Sequence, residues 1–132
     1  MNRSEPPAIL VVEDDTDLRV VHAEILRDEG YPVLTAADGL EALEVVEQNG
    51  PPAVILLDLR MPRMDGWDLA DRLRERPEWR DIPIVVVAAH YRIADEAESI
   101  GARAWLHKPV MIDDLVRVVG RIYADAADGG RS

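Results

Sequence analysis

Short aliphatic runs alternate with amphipathic segments along most of this chain. Three runs are strongly apolar, AILVV (8–12), AVILL (53–57) and IPIVVVAA (82–89), and two weaker runs are PVLTA (32–36) and ARAWL (102–106). Because these runs are apolar without alternation, they fit strands that are buried on both faces of a parallel sheet. The pattern predicts a strand followed by a helix, repeated five times, and therefore an α/β fold.

The intervening segments carry apolar residues at helical spacing. The first predicted helix runs from Thr16 to Glu29, with Thr16 or Asp17 as its N-cap and Gly30 as its end. The other helices are predicted over 40–48, 67–76, roughly 93–100 and 115–126, the last with Asp113 as its cap. The first helix carries Leu18, Val21, His22, Ile25 and Leu26 at helical spacing. We expect residues 8–125 to form one domain, with flexible ends at 1–7 and 126–132.

Composition narrows the classes of function. The formal net charge of −11 opposes direct binding to nucleic acid, which needs clustered basic residues. Cysteine is absent, so disulfides, thiolate metal sites and cysteine nucleophiles are excluded. The chain has no apolar run of about 18 residues and no signal-peptide arrangement, so we expect a cytoplasmic protein without a membrane segment.

Polar residues gather where the predicted strands end. In chain order these residues are Glu13-Asp14-Asp15 after the first strand, Asp58 after the third, Ala88-Ala89-His90 at the fourth and Lys108-Pro109 after the fifth. Lys108 is the only lysine beside 14 arginines. Because open α/β sheets bind ligands beyond the carboxyl ends of their strands, these residues predict a site at that edge.

The chemistry of this edge points to a phosphoryl group and a divalent cation. Carboxylates that converge on one crevice repel one another unless a cation offsets them, and oxygen ligands favour Mg²⁺ or Mn²⁺. Asp58 is then placed to act as a nucleophile that accepts a phosphoryl group, with Lys108 as a compact positive charge beside it. Each residue alone could be a helix cap or a solvated side chain. Their coincidence at three strand ends favours a site.

Four segments together carry a family resemblance. ILVVEDDTDLR, VILLDLRMPRMDG, DIPIVVVAA and ARAWLHKP, in this order, resemble the receiver domain of bacterial two-component response regulators, over roughly residues 8–125. The resemblance implies a flavodoxin-like doubly wound fold with strand order 2-1-3-4-5. It also implies a phosphoprotein of phosphorelay signal transduction, similar to the single-domain chemotaxis regulators.

The resemblance assigns roles to the acidic residues. Asp58 would be the phosphoacceptor. Asp14 would bind the metal directly, Glu13 mainly through water, and the backbone carbonyl of Arg60 would be a further protein ligand. Asp15 lies one place beyond the acidic pair and is expected only to start the helix.

The remaining matched positions concern the phosphoryl pocket and its switch. Lys108 would contact the phosphoryl group, and its peptide bond to Pro109 is cis in much of the family. Ala88, followed by Ala89, stands where the family has a Thr or Ser hydroxyl. Trp105 stands where many receivers have Tyr or Phe. These two departures leave the phosphoryl chemistry in place but put the usual conformational switch in doubt.

The family also implies partners. The phosphoryl donor would be a sensor histidine kinase or a phosphotransfer protein, and the output would pass through contacts with another protein or a homodimer. The domain would catalyse its own phosphorylation and dephosphorylation without turning over a separate substrate, so whether it is an enzyme is a matter of definition.

One alternative stays open at this point, and two others are opposed by residues of the sequence. A degenerate receiver that binds partners without phosphorylation is favoured by Ala88 and Trp105 and opposed by the intact acidic residues. A phosphatase of the haloacid dehalogenase type needs a second Asp two residues after the first, where this chain has Arg60. A flavodoxin-like electron carrier needs a Ser/Thr/Gly phosphate loop after the first strand, where this chain has Glu13-Asp14-Asp15.

Overall fold

A single parallel sheet organises the part of the chain that the computed structural model describes, residues 6–129. Its five strands are β1 (Ile9–Val12), β2 (Val33–Ala36), β3 (Val54–Asp58), β4 (Ile84–Ala88) and β5 (Ala104–His107). Their order across the sheet is β2-β1-β3-β4-β5. The predicted doubly wound α/β fold and its strand order are therefore confirmed. Most of the predicted N-terminal end and residues 130–132 lie outside the described residues.

Five helices connect and cover the strands. They are α1 (Thr16–Asp28), α2 (Gly39–Asn49), α3 (Gly66–Arg74), α4 (Ile93–Ile100) and α5 (Ile112–Gly129). Helix α5 begins at Ile112, so Asp113 lies in its first turn and the expectation that Asp113 caps it was wrong. The same helix continues beyond residue 125, where the domain was predicted to end.

Aspartates begin the first three helices. Asp15, Asp38 and Asp65 each have extended backbone and accept a hydrogen bond from the amide three residues further on. The expectation that Thr16 or Asp17 caps α1 was wrong, because both residues already belong to the helix. Asp15 is the residue whose carboxylate reaches the free amide of Leu18, at 3.0 Å.

Two apolar layers sandwich the sheet. On one face α2, α3 and α4 pack against the strands, and on the other face α1 and α5 do so. The central strand β3 is buried along its whole length, which explains why its sequence is continuously apolar up to Asp58. No helix within residues 6–129 has the length and apolar character needed to cross a bilayer.

The register of the strands brings the predicted site together. Val12 of β1 lies opposite Leu57 of β3, so Glu13 and Asp58 follow on neighbouring strands. Asp58 lies opposite Val87 of β4, and Ala88 is the next residue of that strand. The parallel pairing therefore places the ends of β1, β3 and β4 side by side at one edge of the sheet.

Candidate functional site

Three carboxylates converge at the carboxyl edge of the sheet. Oxygen atoms of Glu13, Asp14 and Asp58 all lie within 4.8 Å of one another. Glu13 and Asp58 are buried, whereas Asp14 is exposed to solvent. The amide of Arg60 donates a hydrogen bond of 3.3 Å to Asp58 Oδ1, which ties the loop after β3 to this carboxylate.

Lys108 reaches the two buried carboxylates from β5. Its Nζ lies 3.1 Å from Glu13 Oε1 and 3.4 Å from Asp58 Oδ2. Burial opposes the charge of this ammonium group, but the hydrogen bond to Glu13 and the charges of Asp58 and Glu13 outweigh burial and raise the pKa of Lys108. The only lysine of the chain is therefore held as a cation inside the acidic cluster.

The pKa of the Asp58 carboxyl group lies well above its ordinary value. Burial, together with a hydrogen bond to Glu13 and the charge of Glu13, raises its pKa from 3.8 to about 7, although Lys108 acts in the opposite direction. Without further positive charge, Asp58 is thus partly protonated near neutral pH. Strongly shifted carboxyl groups of this kind are typical of functional sites.

The charges of the cluster fit a divalent cation. When ionised, its three carboxylates carry three negative charges, and Lys108 offsets one of them. Two negative charges remain in a partly buried crevice, and one Mg²⁺ ion would balance them. All side-chain donors are oxygen atoms, the ligands that Mg²⁺ prefers. Glu13, Asp14 and Asp58 are therefore the residues that could hold the metal.

The predicted switch positions lie on or directly after β4 and β5 and differ in exposure. Ala88 is buried at the end of β4, and its carbonyl accepts a hydrogen bond of 2.8 Å from the amide of Lys108. Trp105 lies on β5 with 46% of its surface exposed. The Lys108–Pro109 peptide bond is cis, as the resemblance implied. Ala89 follows β4 and lines a groove beside Pro109 rather than contributing a polar group.

His22, Trp67 and Trp79 take mainly packing positions. His22 is buried on α1, where burial lowers its pKa. Trp79 is buried too, and Arg76 covers its ring at 4.0 Å. Trp67 is partly buried, with the guanidinium of Arg60 5.7 Å from its ring centre.

An apolar groove beside the pocket was not predicted. It has a volume of about 400 Å³ and is lined by Leu18, Val21, His22, Ile25, Ala89, Lys108, Pro109, Val110 and Ile112. Val21 belongs to the helically spaced set of α1 and is 47% exposed. The helical period could not reveal this, because it identifies one side of α1 but not how far α5 covers that side. The neighbouring hydrophobic residues Val20 and Val21 were the available signal.

A protein-family model gives the class of this fold and site. The model for the response regulator receiver domain matches residues 9–120. The chain therefore belongs to the receiver family of response regulators. Members of this family bind Mg²⁺ and interact with histidine kinases or phosphotransfer proteins.

Individual relatives agree with this assignment. The chain is 39% identical over 117 residues to the transcriptional regulatory protein PdtaR of Mycobacterium tuberculosis, covering 86% of this chain and 55% of PdtaR. It thus spans about half the length of that relative. It is also 37% identical over 113 residues to a 14.6 kDa protein of Leptolyngbya boryana, covering 84% of this chain and 86% of that protein.

Solved structures show the same fold. The chemotaxis protein CheY4 of Vibrio cholerae superposes with a TM-score of 0.81 at 30% identity, covering 89% of this chain and 99% of CheY4. The receiver domain of NtrX from Brucella abortus superposes with a TM-score of 0.79 at 33% identity, covering 88% of this chain and 98% of that domain.

Proposed function

We propose that this protein accepts a phosphoryl group on Asp58, in a Mg²⁺-dependent reaction, from a histidine kinase or phosphotransfer protein, and signals through contacts with other proteins. The observation that carries this function is the position of Lys108 Nζ, 3.1 Å from Glu13 and 3.4 Å from Asp58 at the end of the central strand. One cation there serves both the acidic pair and the nucleophile. The net charge of −11 further favours protein contacts over direct binding to nucleic acid.

The residues of the pocket divide the chemistry between them. An oxygen of Asp58 attacks the phosphorus, a P–O bond forms, and the bond between phosphorus and the donor breaks. The donor keeps the electron pair, and a phosphohistidine whose ring is protonated on its other nitrogen leaves as a neutral imidazole without a further proton. Asp58 must be ionised to attack, and Lys108 favours that form because it lowers the pKa of Asp58. After transfer, the same ammonium group faces the new phosphoryl oxygens.

A bound Mg²⁺ ion, held by Asp14, Asp58, Glu13 and the backbone carbonyl of Arg60, would neutralise charge on the transferred phosphoryl group. Asp14 is the exposed member of the cluster and therefore the one most accessible to an entering hydrated ion. Asp15 remains outside this set, because its carboxylate caps α1.

The switch that follows phosphorylation is proposed to be atypical. Ala88 offers a methyl group at the end of β4, where a hydroxyl could have donated a hydrogen bond to the phosphoryl group. A hydrogen bond to a charged group is worth about 1.5–3 kcal/mol, so its absence weakens the coupling between the phosphoryl group and β4. Trp105 already lies half outside the protein surface, and its large indole leaves less scope for an inward rotation.

Mass spectrometry of the intact protein tests the proposed reaction. With acetyl phosphate and Mg²⁺ we expect the chain to gain one phosphoryl group, and reduction with borohydride before proteolysis should place it on the peptide containing Asp58. Chelation of Mg²⁺ by EDTA should abolish the gain, because the negative charges at the pocket are then left without their balancing cation. A phosphohistidine protein serves as the second donor.

A different result would favour the degenerate receiver. If neither donor gives a phosphoryl group on Asp58 while Mg²⁺ binding is saturable, the phosphoacceptor function is wrong. Ala88 and the exposed Trp105 then favour a receiver fold used as a phosphorylation-independent binding module.

The apolar groove supports a protein as the phosphoryl donor. It lies between α1 and the segment after β5, and Lys108, which contacts Asp58, also lines it. Ile112, which lines the groove, is 59% exposed, and the preceding residue Met111 is 66% exposed. An exposed apolar surface next to a reactive group is typical of a protein contact site. We therefore place the donor protein on this groove while its phosphohistidine enters the pocket.

Substitution of Val21 tests this contact. We expect Val21→Ser to slow transfer from a phosphohistidine protein about tenfold, because about 1–2 kcal/mol of apolar contact is lost. Phosphorylation by acetyl phosphate should stay unchanged, since that donor does not need the groove. Val20→Ser is the matched control, because Val20 is equally exposed but does not line the groove. Equal transfer rates for Val21→Ser and Val20→Ser would place the donor elsewhere.

A further inference from the structure

The loop between β3 and α3 is fixed by hydrogen bonds at both ends and along its far side. This loop, residues 59–65, carries Arg60, whose amide donates to Asp58 Oδ1. At its base, the amide of Gly66 donates to the carbonyl of Leu59 at 2.9 Å. Its far side rests on the beginning of α2, where the amide of Gly39 donates to the carbonyl of Met64 at 2.9 Å.

An ion pair strengthens the contact with α2. Arg63 Nε donates a hydrogen bond of 2.7 Å to Asp38 Oδ2, and Arg63 Nη2 lies 2.5 Å from the same oxygen. The other oxygen of Asp38 accepts from the amide of Glu41 at 2.9 Å and caps α2. Both oxygens of this buried carboxylate are thus occupied. The Glu41 hydrogen bond and Arg63 outweigh burial and lower the pKa of Asp38.

The backbone of Arg63 is unusual as well. Its φ of +65° makes it the single non-glycine residue with a positive φ among residues 6–129. Such a conformation is disfavoured for an ordinary side chain. The loop is therefore held in a conformation that the local chain disfavours, and the contacts with Asp38 and Gly39 supply the compensation.

We propose that the Arg63–Asp38 ion pair is a positioning device for the metal site. It anchors the β3–α3 loop to α2 and so holds the backbone of Arg60 against Asp58. Neither residue belongs to the acidic cluster of Glu13, Asp14 and Asp58. Their effect reaches the site through the backbone, because Arg60 is only three residues from Arg63 and is already tied to Asp58. This role rests on the proposed Mg²⁺ binding at Asp58.

The variants separate the ion pair from backbone strain and helix capping. Arg63→Asn removes the guanidinium but keeps a residue that tolerates positive φ. Asp38→Asn removes the charge but keeps a good N-cap. Arg63→Lys keeps the charge. Arg117→Asn is the matched control, because Arg117 forms a 2.9 Å ion pair with Asp114 on α5, on the opposite face of the sheet.

Mg²⁺ affinity and amide hydrogen exchange test the positioning role of the ion pair. Calorimetric titration with Mg²⁺ should give a Kd that is three- to tenfold higher for Arg63→Asn and for Asp38→Asn, partly restored in Arg63→Lys, and unchanged in Arg117→Asn. The double variant should be no weaker than the weaker single variant, since both substitutions break one pair. In the metal-free protein, the Gly39 amide should exchange its hydrogen at least tenfold faster in both single variants.

The two proposals fail in different ways. A wild-type protein that binds no Mg²⁺ at Asp58 overturns the proposed function and this role with it. A wild-type protein that binds Mg²⁺, with both single variants within twofold of its Kd, overturns the positioning role alone. Loss of affinity that merely follows loss of folding, seen as an equal loss in Arg117→Asn or as incomplete folding by circular dichroism, also overturns it.

Discussion

Replacement of Asp58 by Asn should abolish phosphorylation and at the same time stabilise the metal-free protein. The amide of Asn is not a phosphoryl acceptor under these conditions, so the phosphoryl gain seen by mass spectrometry should disappear with either donor. Above pH 7 we expect the free energy of unfolding of the variant to exceed that of the wild type by about 1–2 kcal/mol.

The stabilisation follows from the raised pKa of Asp58. This carboxyl group has a pKa of about 7 in the folded protein against 3.8 ordinarily, so the folded state binds more protons between these values. Stability of the wild type therefore falls as the pH rises from about 4 to 7, and the full penalty is present above pH 7. A shift of this size corresponds to about 4 kcal/mol, which water in the open crevice reduces to the smaller value expected.

Urea unfolding at pH 4, 6 and 8 measures this effect. The difference between Asp58→Asn and wild type should be near zero at pH 4 and largest at pH 8. Saturating Mg²⁺ should shrink or reverse the difference at pH 8, because the cation favours the ionised carboxylate of the wild type. Asp14→Asn is the control, since Asp14 is exposed. A variant less stable than the wild type at pH 8 without metal would contradict the role assigned to Asp58.

Gly66→Ala should destabilise the protein by about 2–3 kcal/mol. A Cβ atom at Gly66 would lie 2.9 Å from the Cα of Leu59 and 3.0 Å from the carbonyl oxygen of Asp58. Both are backbone atoms of the segment that carries Asp58, which cannot move aside as a flexible side chain can. The first turn of α3 must therefore shift away from β3, and the same shift should weaken Mg²⁺ binding.

Gly120→Ala provides the matched control for this substitution. Gly120 is also helical, and a Cβ there would meet only the hydroxyl end of Tyr31, at 3.0 Å. The ring of Tyr31 can yield, and alanine favours a helix over glycine by about 1 kcal/mol, so we expect little or no loss of stability. Thermal and urea unfolding of both variants measure this difference in stability. Equal stability of Gly66→Ala and wild type would mean that the contact of α3 with β3 is loose.

The fold could be predicted from the sequence because the central strands of the sheet are buried. The strands β1, β3 and β4 are covered on both faces, so their sequences are apolar without interruption and can be recognised as a parallel sheet. The residue that caps the beginning of a helix was harder to predict from the sequence. Asp15 caps α1 although Thr16 and Asp17 carry equally suitable side chains, and only the backbone angles distinguish them.

The residues of the candidate site could be predicted from the sequence, but their arrangement in space could not. Glu13, Asp14, Asp58 and Lys108 could be chosen because each follows a strand and parallel strands end at one edge. Their spacing along the chain could not say that Lys108 lies between Glu13 and Asp58, nor that Asp58 titrates near pH 7. Both depend on the strand register and on burial, which involve residues about 45 to 95 positions apart in the sequence.

The sequence by itself determined the class of fold, the order of its elements and the chemical types of the residues at the carboxyl edge, because hydrophobic periodicity and strand ends are local properties. Tertiary structure alone decided which side of α1 stays open as a groove, and which carboxylates are buried. It also decided that Asp38 holds Arg63 across 25 residues of chain. These features arise from the packing of separate elements, and the apolar pattern of one element does not specify the exposure left by its neighbours.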